Sequence, residues 1–330
     1  MTSRAALLTL LALVVAVPTG AQSMTGEADV SAGRSTETIS AAGVQARLFG
    51  PISRSDWRIF LEATWGAVTA SDSDAFGAAY PYDRTLRPME MYVERMFRPS
   101  GLLVGVRAGR YRTPFGISGR SDHAYNGFTR APLIRYGSNW SLSNTFLDAG
   151  VDLLVGTPRF QVETSVGMPT DEGEYQRRRG PSAVIRAQTY YRSLVVGASH
   201  LRANPSDPAA WATGRMVFSG VDARWAHQGL VLRGEWLDGR PFDDVSTRGG
   251  YLDVMFDREW MGPVTAVARI EKLDYFAGAH SAFYHRQTVG GRVRLSRMLA
   301  LQLNLIRQPD GLTHGRRIAL DTGLTFSARF

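Results

Sequence analysis

The segment 316–330 constrains this chain more than any other, because its side chains alternate between two characters with a period of two. Ile318, Leu320, Leu324, Phe326, Ala328 and Phe330 fall on one side of an extended chain, and Asp321, Gly323, Thr325, Ser327 and Arg329 fall on the other. Only Thr322 is off-pattern. The segment therefore reads as a strand with one apolar and one polar face. A strand of a soluble sheet alternates in the same way, so alternation alone does not choose between a soluble barrel and one embedded in lipid.

The same unit recurs through the chain. Trp57, Ile59, Leu61, Ala63 and Trp65 alternate with Arg58, Glu62 and Thr64, and the tryptophans bracket the apolar positions as interfacial residues bracket a lipid-facing band. Met89, Met91 and Val93 alternate with Glu90, Tyr92 and Glu94, reverse at 98–101, and return through Val104, Val106 and Ala108 with Arg107 opposite. Further hairpins follow at 151–166, 183–198, 217–236, 252–270 and 289–305. Their short turns alternate with long polar connectors at 70–87, 112–146, 167–181, 202–213, 238–248, 276–284 and 308–315. Parity then requires a strand at 39–48 and one more at 27–33, the least regular segment. The expected fold is all-β, an antiparallel up-and-down transmembrane β-barrel of about sixteen strands, with fourteen or eighteen left open.

The ending on Phe326 and Phe330 resembles the C-terminal signal by which the assembly machinery of Gram-negative bacteria recognises outer-membrane β-barrels. The other end agrees. Arg4 is a short basic region, 5–17 is an apolar run, and Pro18-Thr19-Gly20-Ala21 offers small residues for a signal peptidase. The expected organisation is a signal peptide over 1–21 and one barrel over 22–330. A membrane anchor is disfavoured because the run is shorter than the ~20 residues a spanning helix needs. There are 38 basic and 30 acidic residues, Lys272 is the sole lysine, and the arginines are spread along the chain. No clustered basic face suggests nucleic acid. With no cysteine, neither a disulfide framework nor a thiolate metal site is possible.

The longest connector is the best functional candidate. Gly109-Arg110-Tyr111-Arg112-Thr113-Pro114-Phe115-Gly116 resembles the Gly-Arg-x-x-x-Pro-Phe-Gly stretch of phosphate-selective porins and related large porins. A long connector in a barrel often folds inward to narrow the pore. This one carries Arg110, Arg112, Arg120, Arg130 and Arg135 against Asp122 alone, together with Tyr111, Phe115, Tyr125, Phe128, Tyr136, Trp140 and Phe146 to pack it on the wall. A ring of such arginines would concentrate anions. The competing reading is a surface loop whose arginines bind lipopolysaccharide phosphates.

The lumen wall is expected to carry Arg58, Glu62, Glu90, Glu94, Arg107, Arg186, Arg224, Arg233, Glu235, Arg269, Arg292 and Arg294, with Asp152, Glu163, Asp222, Asp253, Glu271 and Asp321. Such charges either pair across neighbouring strands as a structural network or set a field across a water-filled lumen. Two weaker patterns are Ser121-Asp122-His123, whose adjacent residues cannot converge as a triad, and Asp72, Asp74, Gly77 and Asp83, a partial calcium-loop spacing. No catalytic site, metal or cofactor is expected. The resemblance implies an outer-membrane porin passing small hydrophilic solutes, and the arginine excess of the connector adds an expected preference for anions. Its partners would be outer-membrane lipid, lipopolysaccharide, the barrel-assembly machinery and two further copies in a homotrimer. The alternatives are a non-conducting structural or surface-binding barrel and an outer-membrane hydrolase.

Overall fold

The computed structural model describes residues 24–37, 39–52, 56–69, 83–117, 127–135, 147–170, 180–203, 215–309 and 317–330. Its strands, in chain order, are β1 (Thr25–Ser35), β2 (Ser40–Pro51), β3 (Trp57–Val68), β4 (Asp83–Phe97), β5 (Leu103–Arg112), β6 (Leu147–Gly156), β7 (Phe160–Pro169) and β8 (Ser182–Tyr191). They continue with β9 (Leu194–Ala203), β10 (Met216–His227), β11 (Leu230–Phe242), β12 (Val245–Phe256), β13 (Val264–Ala277), β14 (His280–Arg294), β15 (Leu299–Arg307) and β16 (Ile318–Arg329). Each pairs antiparallel with its neighbours in sequence, and β1 pairs with β16 to close a sixteen-stranded barrel. The closing seam runs from Glu27 opposite Arg329 to Ser35 opposite Asp321. Phe330 completes it, exchanging hydrogen bonds with Gly26 at 2.8 and 3.0 Å. Closure leaves no strand edge unpaired, which a sheet in hydrocarbon requires.

The period of two sorts the side chains as the sequence predicts. Val151, Leu153, Val155, Val166, Ile185, Val221, Leu252, Ile270, Val289, Leu305, Leu320, Leu324 and Phe326 point outward and are exposed. Asp152, Glu163, Arg186, Asp222, Glu235, Asp253, Arg269, Glu271 and Asp321 are buried on the inner face. A water-soluble barrel has the opposite arrangement, so the exterior is built for an apolar surrounding. Trp57 and Trp65 lie eight residues apart on the outward face of β3, about 26 Å along an extended chain, which matches an apolar band about 25 Å tall. Phe97, Phe160, Tyr191, Trp260 and Phe330 are exposed around the rim that carries the short turns and form one aromatic girdle.

Two expected long connectors are not connectors. Residues 238–248 and 276–284 belong almost wholly to strands, since β11 and β12 are joined through Asp243-Asp244 and β13 and β14 through Gly278-Ala279. Asp244 and Gly278 take positive φ values of 62° and 56° to make these tight turns. The polar residues responsible for the misreading, Asp238 and Arg248, face each other in register on the outside of the ladder. These hairpins extend beyond the apolar band, where outward positions no longer need to be apolar.

Candidate functional site

The connector after β5 leaves the wall and runs into the lumen. Its departure is prepared at Gly109, where φ is 134° and a Cβ would strike the carbonyl oxygen of Met91. Arg112 then turns inward, its backbone N–H donating to Glu90 Oε1 at 3.0 Å and its guanidinium pairing with Glu62. Thr113 donates to Asp148 Oδ2 at 3.0 Å, and the same carboxylate oxygen accepts from Ser182 at 2.7 Å. Gly116, with φ of 62°, donates to Ser199 Oγ at 3.1 Å and accepts from the Arg186 guanidinium. A Cβ there would collide with Glu235 and Arg135, so a glycine is needed for this approach.

The returning segment, 127–135, is fastened to the far wall. Thr129 donates its backbone N–H to Asn304 Oδ1 at 2.8 Å and its hydroxyl to Asp321 Oδ2 at 3.1 Å, while the Asn304 amide donates to the Gly127 carbonyl at 3.0 Å. Arg130 is clamped between Asp321 and Glu37, each at 2.7 Å. Its own carbonyl accepts from Arg269 at 2.9 Å, and the next carbonyl, of Ala131, accepts from Arg286 at 2.5 Å. Leu133 donates its N–H to Glu271 Oε1 at 2.9 Å. Arg135 pairs with Glu235 and donates to the Phe115 carbonyl at 3.0 Å, tying the two described parts of the connector together. The anchoring wall residues are themselves oriented: Arg269 binds Asp253 at 2.5 and 3.0 Å and packs over the Phe128 ring at 3.9 Å, and Arg286 binds Glu271 at 2.5 Å.

An apolar layer completes the seal. Phe115, Leu133 and Ile134 pack with the inward-facing Val184, Leu201, Ala203, Met216, Phe218, Leu237, Tyr251 and Leu273 of β8–β13. Gly220 leaves the room Phe115 needs, since a Cβ at that position would lie 2.9 Å from the ring.

The sequence-predicted residues divide accordingly. Arg112, Arg130 and Arg135 are brought into the lumen but are buried in ion pairs with wall carboxylates, so they fasten the connector and present no free positive charge. Arg110 is not at the constriction. It shares the outward parity of β5 and donates to the carbonyls of Pro88 and Thr170 at 2.9 and 3.2 Å. Arg120 and Asp122 lie outside the described residues, as do the Ser121-Asp122-His123 stretch and Asp72, Asp74 and Gly77 of the calcium-like spacing.

On the wall, Glu62, Glu90, Glu235, Arg186 and Arg269 bind the connector directly. Arg233 meets Asp253 at 2.7 Å. Arg107 bridges Asp152 at 2.9 Å, Glu163 at 3.7 Å and Glu94 at 3.9 Å, and Arg292 is half-buried. Arg58, Arg224 and Arg294 remain exposed. Phe326 and Phe330, the residues of the assembly-signal resemblance, are both exposed on the outer face.

Sequence reasoning missed Glu37, Asp148 and Arg286 as anchors. Arg286 had a usable signal, being in step with Arg292 and Arg294 on β14. Glu37 lies between β1 and β2, where period-two alternation carries no information.

No protein-family model matches the chain, and no curated protein sequence does. Solved structures do match in three dimensions. OmpF of Salmonella typhi, in complex with daunomycin, is 10% identical with a TM-score of 0.67, over 93% of this chain and 97% of that one. OprB of Pseudomonas putida is 11% identical with a TM-score of 0.63, over 100% and 96%. An anion-selective porin from Comamonas acidovorans is 13% identical with a TM-score of 0.58, over 93% and 99%. At such identities the likeness is one of fold, and the fold this chain has is that of the sixteen-stranded porin-type β-barrels.

Proposed function

We propose that the protein is an outer-membrane porin, a passive channel for small hydrophilic solutes. The observation that carries this reading is the connector laid across the inside of an inverted barrel and bonded to β8–β16, which narrows the lumen at one level. An apolar exterior needs lipid, and a charged interior needs water. Export through a leader at 1–21, insertion guided by the Phe326 and Phe330 ending, contact with lipopolysaccharide and assembly into trimers all accompany this reading.

An anion preference belongs to the proposal, but its source moves from the connector to the wall. The described connector arginines are neutralised by carboxylates, whereas Arg58, Arg224 and Arg294 are exposed on the inner face. Exposed fixed cations raise the local anion concentration within a Debye length of ~8 Å at physiological salt.

One observation favours a second reading, a plugged barrel. The apolar layer between connector and β8–β13 is packed like a core and excludes water from that sector. A hydrolase reading meets a chemical obstacle. His200 and Ser219 do come within 2.9 Å on the outer face, but Arg202 donates to the other ring nitrogen of His200 at 3.2 Å. That bond puts the imidazole proton on the side facing Ser219, so the ring donates to the hydroxyl and has no lone pair there to accept its proton. The deciding experiment is reconstitution of the refolded full chain in a planar bilayer. Stepwise KCl conductance that is greater for chloride than for potassium is expected, and a folded barrel giving no steps would replace the porin reading with the plugged one.

A further inference from the structure

The inner wall of β2–β5 carries a row of aromatic rings. Phe49, Phe60 and Tyr92 face one another across three adjacent strands, Phe49 opposite Phe60 and Phe60 opposite Tyr92. Their ring centroids are 6.4 and 5.0 Å apart, with interplanar angles of 24° and 12°. The Arg107 guanidinium caps the row at 4.7 Å from the Tyr92 ring. All three residues share the inward parity of Glu62 and Glu94, and each keeps partial exposure.

We infer that this row, with Arg58, is a docking subsite for aromatic carboxylates. The inference rests on the porin reading and names a solute class for it. Rings stacked side by side from neighbouring strands turn their C–H edges toward the lumen. Those edges carry the positive end of the ring quadrupole, so they attract the negative face of a further aromatic ring in the edge-to-face arrangement. Arg58 supplies the second point of recognition. It stands two residues from Phe60 on the same strand face, about 7 Å away, close to the distance between the ring centre of a benzoate and a guanidinium paired with its carboxylate.

Arg58 is exposed and forms no ion pair among the described residues, whereas the neighbouring Arg47 and Arg107 are engaged with Glu62 at 3.1 Å and Asp152 at 2.9 Å. Among the described residues, an exposed guanidinium without an ion pair is thus placed beside a row of partly exposed rings. Structural packing alone explains the rings, but it does not explain an open guanidinium at their end.

The test uses the refolded full chain in a planar bilayer, with block expressed as a fraction of each protein's own KCl current. Benzoate, cyclohexanecarboxylate and acetate carry the same charge, and only benzoate offers a π face. Benzoate is expected to half-block at a concentration about fivefold lower than cyclohexanecarboxylate, the size of one edge-to-face contact, with acetate weaker than both. Phe60→Leu combined with Tyr92→Leu should erase the difference between the two ring acids. Arg58→Ser should weaken both together. Equal block by benzoate and cyclohexanecarboxylate in the unaltered protein overturns the subsite, and that comparison needs no variant to fold. A difference that persists in the double leucine variant, folded by heat-modifiable gel migration, overturns it equally. Absence of any KCl current is a separate result that refutes the porin reading and the subsite's role in permeation with it.

Discussion

The two sides of the lumen wall solve the same problem in different ways. On β8–β16 the inward charges are spent on the connector: Asp321, Glu235 and Glu271 hold Arg130, Arg135 and the Leu133 amide, and between these anchors the wall turns apolar. On β2–β5 the inward charges are divided: Glu62 and Glu90 hold Arg112 at the start of the connector, while Arg47 also meets Glu62 and Arg107 meets Asp152 of β6, and beside these pairs stand partly exposed rings. Inward polarity in a barrel is therefore not one signal. Where most of the anchors for the connector lie, the wall is filled by an apolar layer, and where fewer lie, partly exposed rings face the lumen.

The sharpest way to break this contrast is to remove one guanidinium from the fastened side. Arg130→Ala leaves Asp321 and Glu37 facing each other in a buried site, an uncompensated arrangement that costs about 3–5 kcal/mol. The temperature at which the folded band converts on a gel should fall markedly, and the open channel should become larger and noisier as the connector loosens. Arg58→Ser on the other side should change that temperature little, because the side chain is exposed and makes no ion pair among the described residues. Similar losses from both substitutions would remove the distinction between the walls.

A smaller effect is expected where the apolar layer meets the wall. Gly220→Leu forces a side chain against Phe115, and overpacking of this kind costs about 1–3 kcal/mol. The urea midpoint of refolding in detergent or lipid should drop accordingly. An unchanged midpoint would mean that Phe115 does not occupy that hollow.

The smallest effect concerns selectivity. Arg224→Ser together with Arg294→Ser should move the reversal potential in a KCl gradient toward cations, since both side chains are exposed in the lumen. If the shift came instead from Arg135→Ser alone, the connector and not the wall would set the preference.

Much of the barrel was legible because lipid outside and charge inside impose a strict period of two. The C-terminal strand, the paired tryptophans of β3 and the count of sixteen followed from that one rule. It failed at β11–β12 and β13–β14, where strands project beyond the apolar band and polar Asp238 and Arg248 on the outer face imitate a loop. It also gave no account of where the connector lies. A clue was nonetheless present: Met216, Val217 and Phe218 are consecutive apolar residues, as are Trp236 and Leu237, and a barrel strand that is apolar on both faces must bury its inner face against something. The pairing of each connector arginine with a particular carboxylate depended on three-dimensional register, which local spacing does not contain.

The central claim, that residues 127–135 are held inside the barrel against β15 and β16, can be tested covalently because the chain has no cysteine of its own. A Cβ built at Gly323 lies 3.6 Å from Thr129 Cγ2, a position that the sulfur of a cysteine at 129 can occupy, which brings the two sites close enough to link. The Thr129→Cys, Gly323→Cys double variant, oxidised mildly after refolding, should form an intramolecular cross-link in nearly every molecule and retain its KCl conductance. A residue 129 thiol that stays unlinked and reacts at full rate with a bulky maleimide added from the outer side would show that the connector lies outside the lumen.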